Sequence, residues 1–126
     1  MITTDPRSPV DLRREAAALT DLWSPRVVAE VNGQYVKVAR LKGEFVWHAH
    51  AAEDELFLVL DGRLRLQFED RVVELGPGEC AVVPRGVRHN PQCDGEVLLA
   101  LFEPKATAHT GEVTTARARS IAEQLR

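Results

Sequence analysis

Hydrophobic and polar residues alternate through the middle of the chain in a pattern that predicts β-strands. The run RLRLQF, residues 63–68, places its apolar side chains on one face and its polar side chains on the other, as in a strand with one wet face. The run ELFLVL, residues 55–60, is apolar on both faces. Its second face must therefore be covered, either by another sheet of the same chain or by a partner subunit.

Turn signals separate these runs at short intervals. Asn32-Gly33 lies between VVAEV and QYVKVARL and predicts a hairpin, since both residues tolerate the positive φ of a tight turn. Asp61-Gly62, Gly76-Pro77-Gly78 and Arg85-Gly86 divide the later strand-like runs, which are FVWHAH, ELFLVL, RLRLQF, VVEL, CAVVP and EVLLALF. Many short strands joined by regular turns predict an all-β sandwich or barrel.

The two ends of the chain have a helical pattern. Ser8-Pro9 predicts an N-cap followed by a first-turn proline. Apolar residues then recur at helical spacing, at Leu12, Ala16, Leu19 and Trp23. Near the C-terminus, ARARSIAEQLR contains helix formers and follows a Thr-rich loop. The prediction is an N-terminal helical segment at 1–25, a barrel at 26–104 and a tail at 105–126 that includes a short helix.

Composition and charge narrow the class of protein. A chain of 126 residues with 44% hydrophobic residues supports one domain. The net charge of −3 offers no positive field for a phosphate backbone, so nucleic acid is not an expected partner. No apolar run approaches the roughly 20 residues of a membrane span, and we expect a cytoplasmic protein without a membrane partner. In that compartment Cys80 and Cys93 are predicted to be reduced.

A His-x-His pair indicates a metal site. In a strand, His48 and His50 would point the same way, close enough to bind one ion. Glu55 begins the next strand-like run, and His89 follows a Pro-x-Gly turn that would return a later strand toward the pair. Three imidazoles and one carboxylate suit Fe(II), Mn(II), Ni(II), Zn(II) or Cu(II) without choosing among them. Taken singly, each is an ordinary solvated side chain, as we interpret the remaining histidine, His109.

Two segments of the chain resemble the two sequence motifs of the cupin family. GEFVWHAHAAEDELFLVLDG resembles the first motif, matching it at His48, His50, Glu55 and Gly62. GECAVVPRGVRH resembles the second motif, matching it at Gly78, Pro84, Gly86 and His89. With the stretch between them, the resemblance covers residues 43–89. It implies a jelly-roll β-barrel, also called a double-stranded β-helix, with one mononuclear metal ion held by His48, His50, Glu55 and His89.

Two positions depart from the family pattern. The glycine that opens the first motif usually stands one residue further from the histidines than Gly43 does, and the second motif usually closes with asparagine where this chain has Cys93. Neither position is a ligand in the family. Cys93 is either a soft neighbour of the metal site or a cysteine that simply packs. Glu53 and Asp54 are alternative carboxylates, but Glu55 has the family spacing.

Enzymatic function is the first hypothesis that the resemblance implies. Cupins with this ligand set include dioxygenases, sugar isomerases, and epimerase-like or lyase enzymes, so the expected substrate is a small oxygen-bearing organic acid, ketone or sugar derivative. No histidine remains in either motif as a general base, so water, Tyr35 or a loop carboxylate such as Glu53 would have to serve. Arg85 and Arg88 flank His89 and either attract a carboxylate substrate or are ordinary loop charges.

A binding or sensing protein without turnover is the second hypothesis, because no added catalytic or DNA-binding domain is recognisable in the sequence. A purely structural barrel is disfavoured, since all four ligands are present. For assembly, the apolar run at 55–60 and the hairpin from Val27 to Leu41 predict a homodimer, like other small cupins that associate through such sheets. In the competing arrangement, the N-terminal helix covers that face and the chain stays monomeric.

Overall fold

The computed structural model describes residues 7–107, 111 and 118–125, which form seven β-strands between two short helices. The helices are α1 (Leu12–Ala17) and α2 (Ile121–Gln124). The strands are β1 (Arg26–Val31), β2 (Gln34–Glu44), β3 (Glu55–Asp61), β4 (Leu64–Phe68), β5 (Val72–Leu75), β6 (Cys80–Val83) and β7 (His89–Pro104). The predicted all-β class, with a short helix near each end of the chain, is confirmed.

The strand β7 joins the two halves of the barrel. Every strand pair in the described part of the chain is antiparallel. The main sheet has the order β1-β2-β7-β3-β6, while β4 pairs with β5 and with the start of β7. Residues 98–102 of β7 lie between β2 and β3, and residues 89–92 pair with β4. This is the jelly-roll arrangement that the sequence predicts.

Two clusters of apolar side chains stabilise the main sheet, one on each face. The larger cluster fills the barrel with inward residues of several strands, including Phe57, Val59, Leu64, Leu66 and Leu99. The smaller cluster lies outside and joins α1 to the sheet through Ala16, Leu19, Val28, Val38 and Leu98. Each large side chain that is fully buried contributes about 1.5–3 kcal/mol.

The two faces of β3 have different surroundings. Its inward residues are buried in the barrel, whereas Leu56, Leu58 and Leu60 are half-buried on the outer face. Leu60 packs against the cluster around α1. The N-terminal helix therefore covers part of this face, as in the competing arrangement, while Val82 beside Leu56 remains 55% exposed.

The hairpin predicted at Asn32-Gly33 is confirmed, since φ is 49° at Asn32 and 74° at Gly33. Its second strand, β2, pairs with β7 along most of its length. β2 is therefore paired on both sides within the chain, so the dimer predicted from this hairpin cannot form through β2. Of the two strands of the hairpin, only β1 lies at an edge of the sheet.

The N-terminal helix is shorter than predicted. It spans Leu12–Ala17, and its N-cap is Asp11, whose carboxylate accepts a backbone N–H of the first turn, instead of Ser8. The helix ends well before Trp23, which has a positive φ of 57°. The indole N–H of Trp23 donates to a backbone carbonyl of β2 at 2.8 Å, and its ring stacks on Phe45. Burial of this ring in the barrel outweighs its helical spacing in the sequence.

The run FVWHAH does not form the predicted strand. Residues 45–50 contain one isolated bridge, between His48 and His89. The ladder between β2 and β7 stops after Glu44, because the next residue, Phe45, meets Pro91. Phe45 donates to the Pro91 carbonyl at 3.0 Å, but proline has no N–H to donate in return.

The C-terminal helix is also shorter than the run ARARSIAEQLR suggests. It has four residues and begins with a capping box between Ser120 and Glu123. Most of the Thr-rich loop, including His109, lies outside the described residues. Within the described residues, no helix has the length and apolar character needed to cross a membrane.

Both cysteines are free thiols, as predicted. Cys80 is exposed on β6, whereas Cys93 is buried in β7 opposite Gly43 and packs with the barrel core. Burial raises the pKa of the Cys93 thiol. Of the two alternative roles considered for Cys93, its burial supports a side chain that packs in the core.

Replacing Gly62 by alanine is expected to destabilise the protein by about 3 kcal/mol, because backbone strain and steric overlap add. Gly62 has a φ of 83°, and an added Cβ would overlap the carbonyl oxygen of Glu96 and lie 3.1 Å from Val97. Gly78 is a matched control with the same φ of 83° and open space at the Cβ position. Gly78→Ala should cost only about 1 kcal/mol. Urea unfolding measures both, and equal losses would contradict the steric argument.

Candidate metal centre

Reciprocal backbone hydrogen bonds hold His48 and His89 side by side. The His48 amide donates to the His89 carbonyl at 3.0 Å, and the His89 amide donates to the His48 carbonyl at 2.9 Å. His89 begins β7, while His48 lies in the loop between β2 and β3. This single bridge positions His48, as the predicted strand was expected to do. The centroids of the His48 and His89 rings lie 4.3 Å apart.

A turn of the chain holds His50 and Glu55 next to this bridge. Glu55 is the first residue of β3, and the preceding Asp54 accepts a hydrogen bond from the Arg85 amide at 2.8 Å. The Gly86 amide donates to the His50 carbonyl at 2.8 Å. The same turn therefore fixes the loop that carries His50 and the start of the strand that carries Glu55.

The four residues identified from the sequence meet inside the barrel. One nitrogen or oxygen atom from each of His48, His50, Glu55 and His89 lies within 4.8 Å of the others. Glu55 Oε1 is 3.5 Å from Nε2 of both His50 and His89. No more than 4% of any of these residues is exposed. We refer to these four residues as the four-residue cluster.

Backbone carbonyls orient two of the imidazoles. Nδ1 of His48 lies 2.9 Å from the carbonyl of Val46, and Nδ1 of His89 lies 3.0 Å from the carbonyl of Val87. A carbonyl oxygen only accepts, so in the neutral imidazole Nδ1 carries the proton and Nε2 presents its lone pair. This tautomer is the one suited to coordination through Nε2.

Four buried polar atoms of the cluster have no hydrogen-bond partner in the described part of the chain. They are His50 Nδ1, His50 Nε2, Glu55 Oε1 and His89 Nε2. Such atoms are costly in a protein interior unless something else satisfies them. Atoms that share one ion through bonds of about 2.1 Å lie roughly 3.0–3.4 Å apart, close to the 3.5 Å separations here. The residues present therefore fit a divalent metal ion.

Burial sets the charge state of the cluster. It is the main cause that lowers the pKa of His48 to about 4, followed by the charge of His89. Burial alone would raise the pKa of Glu55, but the polar groups of Glu103, His50 and His89 that face its carboxylate outweigh burial and hold that pKa well below its usual range. A neutral imidazole and an ionised carboxylate are the forms that coordinate metals.

A cavity of about 30 Å³ lies beside the cluster, on the inner side of the barrel. His48, Glu55 and Glu103 contribute its ionisable groups, and the remaining lining is apolar, including Trp23 and Phe45. A buried water needs about 10–15 Å³ of such space, so the cavity has room for two or three waters.

Two buried charged residues near the cluster were missed by the sequence analysis. Glu103 lines the cavity together with Glu55, and Lys37 Nζ lies 2.6 Å from Glu103 Oε1. Burial, followed by the neighbouring charge of Glu55, raises the pKa of Glu103 well above its usual range, against the effect of Lys37. The alternation in β7 carried a signal, because position 103 continues the inward series Val97, Leu99 and Leu101.

The other residues considered from the sequence do not line the cavity. Arg85 lies 3.4 Å from Asp54, and Arg88 lies 3.6 Å from a surface glutamate. More than half of each arginine side chain is exposed. Tyr35 and Glu53 are also absent from the cavity lining, so neither is placed to serve as a general base there.

The fold and the cluster together define a jelly-roll barrel with a candidate mononuclear metal centre. The family model described as the cupin domain matches residues 35–103. The match covers more than half of the 126-residue chain, and the chain belongs to the cupin family.

Similar proteins are known from several bacteria. The chain is 38% identical over 63 residues to the uncharacterized protein YdbB of Bacillus subtilis (strain 168), covering 49% of this chain and 56% of that protein. A cupin-2 domain containing protein from Shewanella frigidimarina NCIMB 400 is 39% identical, with a TM-score of 0.73 over 75% of this chain and 93% of that one. Protein NMB1881 from Neisseria meningitidis is 28% identical, with a TM-score of 0.70 over 77% and 99% of the two chains.

Proposed function

We propose that this cupin is a metalloenzyme acting on a small oxygen-bearing organic acid, ketone or sugar derivative. One divalent ion, Fe, Mn, Ni, Zn or Cu, would be held by His48, His50, Glu55 and His89. The observation that supports this proposal is the group of buried nitrogen and oxygen atoms that face one another without hydrogen-bond partners among the described residues.

The surroundings of the cluster support distinct parts for three of its residues, His48, His89 and Glu55. The carbonyls of Val46 and Val87 keep Nε2 of His48 and His89 unprotonated and directed inward. Glu55 supplies negative charge from inside the barrel. When bound, the ion would polarise a substrate oxygen or activate dioxygen at an open coordination position. Dioxygenase, isomerase and lyase chemistry all use that property.

Metal analysis of protein purified without chelator tests the proposal first, with about one divalent ion per chain as the expected result. The Fe(II), Mn(II), Ni(II) and Zn(II) forms are then assayed with diketones, keto acids and sugar phosphates. Turnover that chelator abolishes and one metal restores would support the enzyme. Absence of bound metal in every preparation and after reconstitution would contradict the proposal.

Binding or sensing of a small ligand without turnover is a second candidate function, favoured because Tyr35 and Glu53, the expected general bases, do not line the cavity. For either function, Trp23 or Phe45 would have to move to admit an organic acid, because the cavity of about 30 Å³ holds only two or three waters. A ligand that raises the melting temperature of the metal form without being converted would support this function over the enzyme.

We also propose that the protein is a homodimer that associates through the outer face of β3 and β6. Leu56 and Leu58 are half-buried there, and Val82 is 55% exposed. The helix α1 covers the neighbourhood of Leu60. Burying the uncovered part against a second copy would gain about 25 cal/mol for each Å² of apolar surface.

Light scattering at micromolar concentration is expected to give twice the chain mass of 14.0 kDa. Val82→Glu should convert the dimer to a monomer, because a buried unpaired charge is costly. Val72→Glu is the matched control, since Val72 on β5 is equally exposed, at 54% against 55% for Val82. A single species at chain mass for the wild type would contradict the dimer.

A further inference from the structure

Lys37 and Glu103 form an ion pair inside the barrel. Their Nζ and Oε1 atoms lie 2.6 Å apart, and the side chains are 0% and 3% exposed. Lys37 belongs to β2 and Glu103 to β7, two neighbouring strands of the main sheet. A buried ion pair contributes little net stability compared with apolar residues of the same volume, because both charges lose their hydration. Stability alone therefore does not account for a charged pair at this place.

Glu103 connects this pair to the four-residue cluster. Glu103 lies across from Glu55, one step beyond the Leu56–Phe102 pair of β3 and β7, and its side chain lines the same cavity as Glu55 and His48. Glu55 in turn directs Oε1 toward Nε2 of His50 at 3.5 Å. A row of adjacent buried polar groups thus runs from Lys37 through Glu103 and Glu55 to the imidazoles.

We propose that the Lys37–Glu103 pair is a positioning device that holds the Glu55 carboxylate toward the imidazoles and so sets the metal affinity of the four-residue cluster. The inference rests on the metal site of the proposed function. A glutamate side chain rotates about three bonds, and fixing these bonds costs conformational entropy. If a neighbouring residue already holds the carboxylate in place, metal binding no longer includes that cost. Hydrogen-bond partners behind a metal ligand typically change affinity 10–100-fold when they are removed.

The test compares zinc affinities by competition with a chromophoric chelator. The double variant Lys37→Met/Glu103→Leu replaces the pair by apolar residues of similar volume, and its Kd for Zn(II) should rise 10–100-fold. Glu103→Gln keeps an amide that donates to Glu55 and an oxygen that accepts from Lys37, so its Kd should stay within about threefold of wild type. Val97→Ala, on the same strand but about 20 Å away, is the control for a general loss of stability, and its Kd should not change.

A spectroscopic signature separates positioning from a merely structural role. The visible spectrum of the Co(II) form should change in the double variant, because the Glu55 ligand is displaced, and should stay that of wild type in Glu103→Gln and Val97→Ala. If the double variant does not fold, Glu103→Asp takes its place, since the shorter side chain keeps the charge for Lys37 but reaches only one of its two partners. Its Kd should rise at least fivefold.

The outcomes distinguish the two proposals. In one outcome the wild type binds zinc, and the double variant, or Glu103→Asp in its place, binds zinc with unchanged affinity. That result overturns the positioning role and leaves the metal site intact. Absence of zinc binding by the wild type overturns both.

Discussion

Alanine at any one of His48, His50 or His89 is expected to lower metal affinity by more than about 100-fold, beyond the range for outer hydrogen-bond partners. Each imidazole offers a ring nitrogen that no other residue of the cluster can replace at that place. His89 and His48 also lie side by side, so loss of either ring opens space for water in the ion's coordination shell. Elemental analysis of protein purified without chelator measures the loss directly.

His109→Ala is the matched control for this series, because His109 lies outside both sequence motifs. It should retain the metal content of the wild type. Circular dichroism establishes that each variant is folded before its metal content is compared. Full metal content in all three cluster variants would show that the ion, if present, binds elsewhere.

The metal-free protein should lose about 3 kcal/mol of stability from His48 alone as the pH falls from about 6.5 to about 4. The pKa of His48 is lowered from 6.5 to about 4 by burial and by His89. Within this interval the unfolded chain binds a proton that the folded chain does not, so the free energy of unfolding falls with pH. Above it both states are neutral and His48 has no effect, and below it the loss is complete. Each unit of pKa difference corresponds to about 1.36 kcal/mol.

Urea unfolding of metal-free protein at a series of pH values measures this dependence. His48→Gln, which keeps a polar side chain but does not titrate, should remove most of the slope between pH 6.5 and pH 4. An unchanged slope in that variant would show that other groups cause the acid sensitivity.

Because imidazoles coordinate only when neutral, metal occupancy in the wild type should also decrease in mild acid.

The identity of the cluster could be predicted from the sequence, but the geometry that forms it could not. Two motifs in order located His48, His50, Glu55 and His89, and the structure brings all four together. The expected strand through His48 and His50 is absent, because Pro91 ends the ladder one residue after Glu44. A single reciprocal bridge between His48 and His89 positions the rings instead. Such a tertiary contact produces no periodic pattern of residues, so it cannot be predicted from the sequence.

The buried charges show the opposite case, in which a signal existed in the sequence but was not used. Lys37 and Glu103 occupy inward positions of β2 and β7, where the alternation demands apolar residues. A charged residue that interrupts such a series requires a partner inside the barrel.

The length of the N-terminal helix was predicted wrongly for another reason. Its apolar spacing continues to Trp23, but burial of the Trp23 ring in the barrel stabilises the protein more than an extension of the helix would.

The length of β7 has a consequence for the order of events in folding. This strand of 16 residues carries His89 at its beginning and pairs with β2, β3 and β4. His48 and Glu55 precede His89 by more than 30 residues, so bringing them together costs loop-closure entropy before strand pairing offsets it. Because His89 begins β7, the four-residue cluster is complete only when this strand has joined the barrel. A metal ion held by all four residues would bind only after that, so the rate of metal binding during refolding would report when the barrel closes.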